Sequence, residues 1–296
     1  MKIKTFNKIL VLGGRGFIGK HLITELKKTN STILNPKKKE LNLQSKKLII
    51  QYLKKTKPTI IINLVSSTDF LENKKNEKLN HYKNTYLTSV NLADCIDNSY
   101  TKLAIFFGSI EEYGDCKLPK KENSKFNPTS VYGNSKRDAY FKVVNKFKKK
   151  NVNYLWLRPS LVFGDGDNKN RFLGYIIHQI KNKKKIIIKP GNQIRDYLFV
   201  DDLIKITVFF IKNSNKRFNF SLNISSKNFV NLNEVPKRIN KFLKKPLKIT
   251  ILKNKIQSNK MQDNLKLKKI LPKFKFTSFQ LGLKKTLLRE KIIFKI

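Results

Sequence analysis

Acidic residues are scarce in this chain. Twenty Asp and Glu stand against 64 Lys and Arg, a formal charge of +44. Only eight of those basic residues are Arg. Proteins that read bases and phosphates directly lean on Arg, and here the Lys residues spread along the whole chain instead of forming one stripe. Lys, Asn and Ile are abundant together, the mark of a codon-composition bias. The expectation is a solvated basic surface that binds polyanions weakly and without sequence preference, so no specific nucleic-acid partner. Cysteine is nearly missing. Cys95 and Cys116 have neither CxxC nor metal-ligand spacing, which excludes a disulfide framework, gives no metal site and makes a reduced, cytoplasmic setting the default. No apolar run approaches the length of a membrane span. The opening MKIKTFNKILVLGG is basic and then briefly apolar, but it runs into glycines with no small-residue cleavage site, so it reads as a buried first strand and not a signal peptide.

What the chain does have is a core. Hydrophobic residues make up 40% of 296, with 21 Phe and 10 Tyr. That is a globular composition, long enough for one large core or a domain with an appended lobe.

The first strand, Lys8–Leu12, ends at Gly13. Gly13, Gly16 and Gly19 then fit G-x-x-G-x-x-G ahead of an amphipathic helix carrying Leu22, Ile23 and Leu26. A tight turn, close backbone approach to a pyrophosphate and close helix–strand packing all demand glycine at such spacing. The free N–H groups and positive dipole of the helix start would meet the phosphates. A strand before and a helix after supply the context the motif needs.

Further along, Ser31–Leu34 reads as the second strand and ends at Asn35, followed by Lys37, Lys38 and Lys39. A helix runs through Ile50 and Leu53. Thr59–Val65 is continuously apolar, as a strand buried on both faces of a parallel sheet must be. Asn84–Cys95 reads as a helix, and Leu103–Gly108 as another buried strand with Ser109 at its carboxyl end. Ligands of open α/β sheets bind beyond that edge. A long helix runs from Tyr132 to about Lys149, and Tyr154–Leu157 is a strand. LVFGDGDN reads as a loop, Phe172–Ile180 as a helix, Ile186–Ile188 as a strand and Pro190-Gly191 as a turn. Asp201 and Asp202 stand where a helix begins and read as caps.

The stretch Pro128–Lys136, PTSVYGNSK, carries the chemistry. Tyr132 and Lys136 share one helix face, about a turn apart. A free phenol titrates near pH 10, and a nearby ammonium favours its ionised form. Such a pair makes a general acid/base from a sluggish group.

Taken in order, GGRGFIG, NLVSS, Asn84, GSIEEYG, PTSVYGNSK, LRPSLVFG and IRDYLFVDDL resemble the extended short-chain dehydrogenase/reductases that act on nucleotide sugars as epimerases, dehydratases and reductases. The closing NLKLKKILPKFKFTSFQLGLKKT also resembles that family's last segment. The resemblance implies an α/β fold. Residues 1–163 would form a Rossmann-type doubly wound parallel sheet, with a later return of the chain near 192–212. Residues 164–296 would form mainly a smaller substrate-binding lobe. It implies Ser109, Tyr132 and Lys136 as the catalytic set. It implies NAD(P) held by Gly13, Arg15, Gly16, Phe17, Ile18, Gly19, Lys37, Lys38, Asn42, Leu43, Leu64, Val65, Ser66, Asn84, Tyr132, Lys136, Pro159 and Val162. Ser109, Glu111, Arg171 and Arg195 would contact a nucleoside-diphosphate sugar, Arg195 gripping the diphosphate as its bidentate fork suits. The alternative for Arg195 is an ion pair with Asp196. A homodimer is also implied.

Departures from the family's patterns narrow the branch. Dehydratases follow the Ser/Thr with Asp and Glu, where this chain has Ile110 and Glu111. Ile110 cannot protonate a leaving hydroxyl. Reductases that also epimerise carry Cys and His where this chain has Glu111 and Arg171. Simple 4-ketoreductases carry the Gly-Ser-x-Glu-Glu-Tyr-Gly loop found here at Gly108–Gly114. Leu161 stands where the family often has Asn. The expectation is therefore an NADPH-dependent 4-ketoreductase of a nucleotide-activated 6-deoxyhexose. Two other readings stay open: an NAD-dependent nucleotide-sugar 4-epimerase, and a noncatalytic RNA-binding relative. NADP is expected over NAD because Asn35 puts no acid where NAD-binding folds carry one, and because Arg15 lies where reductases resembling GDP-fucose synthase hold the 2′-phosphate.

Overall fold

The computed structural model of the chain describes residues 7–67, 74–189, 191–252 and 258–292. It forms two compact units. The first is Met1–Cys116, Glu122–Arg158 and Ile204–Leu222; the second is Lys117–Lys121, Pro159–Leu203 and Asn223–Ile296. The chain leaves the first unit briefly at Lys117–Lys121, again after Arg158, and returns to it at Ile204.

In chain order the elements are β1 (Lys8–Leu12), α1 (Phe17–Leu26), β2 (Thr32–Leu34), α2 (Lys46–Thr56), β3 (Ile60–Asn63), α3 (Lys74–His81), a π-helical stretch Tyr82–Leu87, α4 (Thr88–Cys95), β4 (Leu103–Phe107), α5 (Val131–Lys149) and β5 (Tyr154–Pro159). There follow β6 (Leu161–Phe163), α6 (Phe172–Lys181), β7 (Ile186–Ile188), β8 (Ile194–Phe199), α7 (Val200–Lys212), β9 (Phe220–Ile224), β10 (Phe229–Asn231), α8 (Val235–Asn240), β11 (Ile249–Ile251), α9 (Leu265–Ile270) and α10 (Phe279–Arg289).

The six-stranded sheet has the order β2-β1-β3-β4-β5-β9. The pairs from β2 through β5 are parallel. Their strands are near-continuous Ile, Leu, Val and Phe because both faces are covered. Strand order reverses at β1, with β2 on one side and β3 on the other, which makes the β1 edge a switch point. Register sets the site: Leu12 pairs with Asn63, Asn63 with Phe106, and Phe106 with Trp156. The segments leaving these strands therefore start from one row along one edge of the sheet. Beneath them Phe106 stacks on Trp156 at 6.0 Å and meets Phe147 edge-on at 5.2 Å. Each large apolar side chain sealed in this way stabilises the unit by ~1.5–3 kcal/mol.

In the second unit β8 runs antiparallel to β10 and parallel to β6, and β7 and β11 form a separate parallel pair. Phe163 meets Tyr197 edge-on, and Phe279 packs at a tilt against both.

Three local expectations are corrected. The segment Asn84–Cys95 is α-helical only from Thr88; its start lies in the π-helical stretch. The wider turn is stabilised because Thr85 Oγ1 accepts the Ser67 N–H at 3.1 Å and lies 3.3 Å from Ser66 Oγ. π-turns of this kind recur at functional sites. Leu161–Phe163 is a strand, not part of a loop, because Val162 and Phe163 pair with Leu198 and Phe199 and are buried. Asp201 and Asp202 stand in the first turn of α7, but they also act at longer range. Asp202 accepts the Thr277 N–H at 2.7 Å, and Asp201 receives a two-pronged bond from Arg289 at 2.8 and 2.7 Å. Pro190 lies outside the described residues.

Candidate active site

Tyr132 sits in the first turn of α5, whose start is capped by Ser130 Oγ accepting the Gly133 N–H at 3.0 Å. One turn on, Lys136 is 4% exposed and its Nζ donates to the Phe107 carbonyl at 2.7 Å. Its Nζ also lies 6.0 Å from the Tyr132 ring centre. The side chains of Ser109 and Ser66 lie near the Tyr132 hydroxyl. Ser66, expected to contact cofactor, has its hydroxyl 3.3 Å from Thr85 Oγ1 and from the Ser67 carbonyl oxygen.

Burial governs both titrating groups. It pushes the Tyr132 phenol up to about 12, against the pull of the neighbouring Ser109 and Ser66 side chains, while Glu111 and Glu112 add to the rise. The net shift is opposite to the lowering expected from Lys136. Burial pushes Lys136 itself down to about 8, partly offset by Glu112. At neutral pH the arrangement holds a protonated phenol beside a charged lysine. A protonated phenol can serve as a proton donor, and the Ser109 and Ser66 side chains lie near it.

His81 was not foreseen. It is wholly buried, its ring lies 5.7 Å from that of Tyr132, and Glu77 stands 3.8 Å from its Nε2. Nothing in the sequence marks it: a His in a polar helix has no spacing partner in the motifs. Glu112, Trp156 and Arg158 were also missed. Glu112 was legible as the second Glu of GSIEEYG, and Arg158 as the Arg before Pro159, but their meeting was not.

The glycine loop lies at the β1 edge. Gly13 rests against the backbone of Leu64 and Val65, and the Val65 N–H donates to Asn63 Oδ1 at 3.1 Å. A methyl at Gly19 would fall 2.3 Å from the Gly13 carbonyl oxygen, so α1 packs onto the loop only because glycine stands there. The N-cap, Gly16, has no side-chain cap, and the first turn of α1, beginning with Phe17 and Ile18, holds no acid. Such a helix start is open to an anion. Arg15 is exposed beside it. Asn35, at the end of β2, has its Oδ1 buried and without a hydrogen-bond partner among the described residues. Lys37 and Lys38 are exposed, and the Lys37 N–H donates to Glu40 at 2.7 Å. Asn42 Oδ1 accepts the Gln44 N–H at 3.0 Å, and the Leu43 carbonyl accepts from Asn91 at 3.2 Å. Asn84 donates to Asn80 Oδ1 at 2.5 Å. An unfilled acceptor, an uncapped helix start and a close glycine loop together fit a dinucleotide.

Pro159, Val162, Arg171 and Arg195 belong to the second unit. Arg171 Nη1 pairs with Asp167 at 3.0 Å, and Arg195 Nη1 donates to the carbonyls of Ile194 at 3.1 Å and Ser258 at 2.8 Å. Burial raises the phenol of Tyr197, while Arg171 and Arg195 pull it back and Asp167 adds to the rise. Both arginines thus act electrostatically on one tyrosine, whose hydroxyl is buried and has no hydrogen-bond partner among the described residues. The neighbouring Asp196 is engaged with Ser225 at 2.5 Å and Ser226 at 3.3 Å, and burial pushes its carboxyl up to about 6.

Comparison with known proteins places these features in a family. Residues 9–224 match the model of the NAD dependent epimerase/dehydratase family. The chain is 32% identical over 208 residues to the GDP-6-deoxy-D-talose 4-dehydrogenase of Aggregatibacter actinomycetemcomitans, covering 67% of this chain and 68% of that one. In fold it matches the Bacillus anthracis dTDP-4-dehydrorhamnose reductase solved with NADP, with a TM-score of 0.80 at 19% identity over 96% of this chain and 100% of the other. It equally matches the UDP-glucose 4-epimerase of Brucella ovis solved with NAD, with a TM-score of 0.83 at 16% identity over 98% and 100%.

Proposed function

The chain belongs to the NAD dependent epimerase/dehydratase family, and we propose that within it this protein is an NADPH-dependent 4-ketoreductase of a nucleoside-diphosphate 4-keto-6-deoxyhexose. The observation that carries the reading is the Gly108–Gly114 loop. It carries Ser109, which lies near Tyr132, and follows it with Ile110, which is apolar and 4% exposed. Reduction of a ketone needs a single proton donor at the carbonyl oxygen. Elimination of water needs an additional acid for the leaving hydroxyl, and Ile110 supplies none. The 32% likeness to a 4-dehydrogenase of a GDP-6-deoxyhexose supports the same branch.

The glycine loop, Arg15 and the uncapped start of α1 would hold the dinucleotide, which when bound supplies the hydride. Ser109 and Tyr132 would bind the sugar's 4-keto oxygen, and Tyr132 would pass its hydroxyl proton to that oxygen as the carbon is reduced. Lys136 would keep positive charge behind the phenol, stabilising the phenolate left behind. Arg171 and Arg195 would take the diphosphate. We place the enzyme in the cytoplasm, in keeping with its free cysteines Cys95 and Cys116, and as a homodimer. Among the described residues no helix is long and apolar enough to cross a membrane.

The test is to expose the purified protein to a panel of GDP-, dTDP-, CDP- and UDP-sugars and identify retained species by mass spectrometry. NADPH oxidation is followed with each 4-keto-6-deoxy sugar. Retention of one such sugar with NADPH-dependent reduction supports the reading. Interconversion of C4 epimers by enzyme carrying bound NAD selects the epimerase instead.

A further inference from the structure

Ser109 stands on a buried charge. Its main-chain N–H donates to Glu112 Oε1 at 2.9 Å. The same oxygen accepts Trp156 Nε1 at 3.0 Å, and Glu112 Oε2 accepts Arg158 Nε at 2.5 Å. Glu112 and Arg158 are both 0% exposed. The Arg158 guanidinium lies 4.3 Å from the Tyr140 ring centre, 5.0 Å from Phe126 and 5.1 Å from Tyr113. A methyl at Gly108 would fall 2.2 Å from both Glu112 Oε1 and Trp156 Nε1, so the meeting of these groups needs glycine before the serine.

Helix capping alone does not account for this. Glu112 and Ser109 form a capping box on the short 3-10 turn Ile110–Glu112, but a capping carboxylate works in water. Here it is sealed in the core with a matching guanidinium. Desolvating two charges costs several kcal/mol per ion, and well-packed apolar replacements are often as stable or more so. Burial of such a pair is therefore weak evidence of a stabilising role, and what it holds matters more. Glu112 binds Arg158 and Trp156 on β5 and the Ser109 N–H after β4, and the Ser109 side chain lies near Tyr132.

We infer that Glu112 and Arg158 are positioning residues for the active site: the buried ion pair sets the place of Ser109 and, through it, the orientation of the Tyr132 hydroxyl. This rests on the proposed reduction, so the test has one arm that needs no substrate. In Glu112→Leu/Arg158→Met the core loses both charges together. Its urea midpoint should stay at or above that of wild type. Exchange of the Ser109 amide hydrogen should speed up about tenfold or more, as expected for loss of a charge-assisted bond. With GDP-4-keto-6-deoxymannose and NADPH as the probe, kcat should fall about tenfold with KM for NADPH unchanged. Trp156→Phe removes one bond to Glu112 and keeps the ion pair, and should shift the same readouts in the same direction by a smaller factor. It decides the matter where the double variant does not fold. Faster Ser109 exchange with lowered kcat supports the inference. Unchanged Ser109 exchange in a folded variant, or wild-type kcat despite faster exchange, overturns it. If wild type itself does not reduce the probe, the proposed reaction fails for that sugar, and Ser109 exchange alone decides this inference.

Discussion

Lys136 is held by the protein's own backbone: its Nζ donates to the carbonyl oxygen of Phe107 at 2.7 Å. Phe107 ends β4 and stands two residues before Ser109, so this bond ties the Tyr-Lys helix to the strand that carries the serine. The ammonium is buried, and burial brings it down from 10.5 to about 8.

A pH signature of opposite signs follows. Below pH 8 the lysine is charged in both folded and unfolded chains, and the fold carries the full cost of burying the charge. Between about 8 and 10.5 the folded chain sheds the proton while the unfolded chain keeps it. Stability from this group therefore rises with pH in that window, by about 3 kcal/mol in all. Activity should run the other way, falling as pH rises through about 8, because the charge behind the phenol is lost. Lys136→Met should abolish the stability rise seen as the difference from wild type in urea titrations at several pH values. Equal pH slopes for the two proteins would contradict the burial of a titrating lysine.

Tyr132→Phe removes the proton donor and keeps the ring against His81. Turnover should fall by roughly two to four orders of magnitude, the usual worth of a positioned acid. Dinucleotide affinity and melting temperature should change little. Retained turnover would move the proton to another group.

Arg15→Ala should weaken NADPH binding by ~1.5–3 kcal/mol, the range for a hydrogen bond to a charged group, and leave NADH binding nearly unchanged. Isothermal titration of both cofactors checks it. Wild-type protein that prefers NADH would remove the 2′-phosphate pocket, and the unfilled Asn35 Oδ1 would then be read as an acceptor for a ribose hydroxyl.

The net charge of +44 should produce weak binding to any nucleic acid, lost steeply as salt rises and blind to sequence. Fluorescence anisotropy with unrelated RNAs measures it. Tight, selective binding to one RNA at physiological salt would contradict a diffuse surface.

Much of the first unit was legible because its signals are local. β1, the glycine loop and α1 follow from apolar run, glycine spacing and amphipathic period, and Tyr132 with Lys136 from helical spacing. What escaped depends on pairs distant in sequence. Glu112 meets Arg158 and Trp156 only because β4 and β5 pair in register. Thr85 turns to Ser66 and Ser67 through a π-helical turn that propensity does not mark. The strand Leu161–Phe163 was hidden among glycines and acids because its partner, β8, lies 36 residues on. The field between Tyr132 and Lys136 was expected from spacing, but the dominant effect, desolvation of both groups, is a property of the packed core.

The central claim is net reduction at the sugar's carbon 4 by NADPH, and isotope transfer tests it most directly. The protein is incubated with NADPH carrying deuterium on the transferable position of the nicotinamide and with GDP-4-keto-6-deoxymannose, and the sugar is analysed by mass spectrometry and proton NMR. The account predicts one deuterium on carbon 4 of the product for each NADPH oxidised, with loss of the 4-keto group, and no transfer by Tyr132→Phe. Finding no deuterium in any 4-keto sugar of the panel, while unlabelled UDP-glucose equilibrates with its C4 epimer on enzyme that keeps NAD bound, would contradict it.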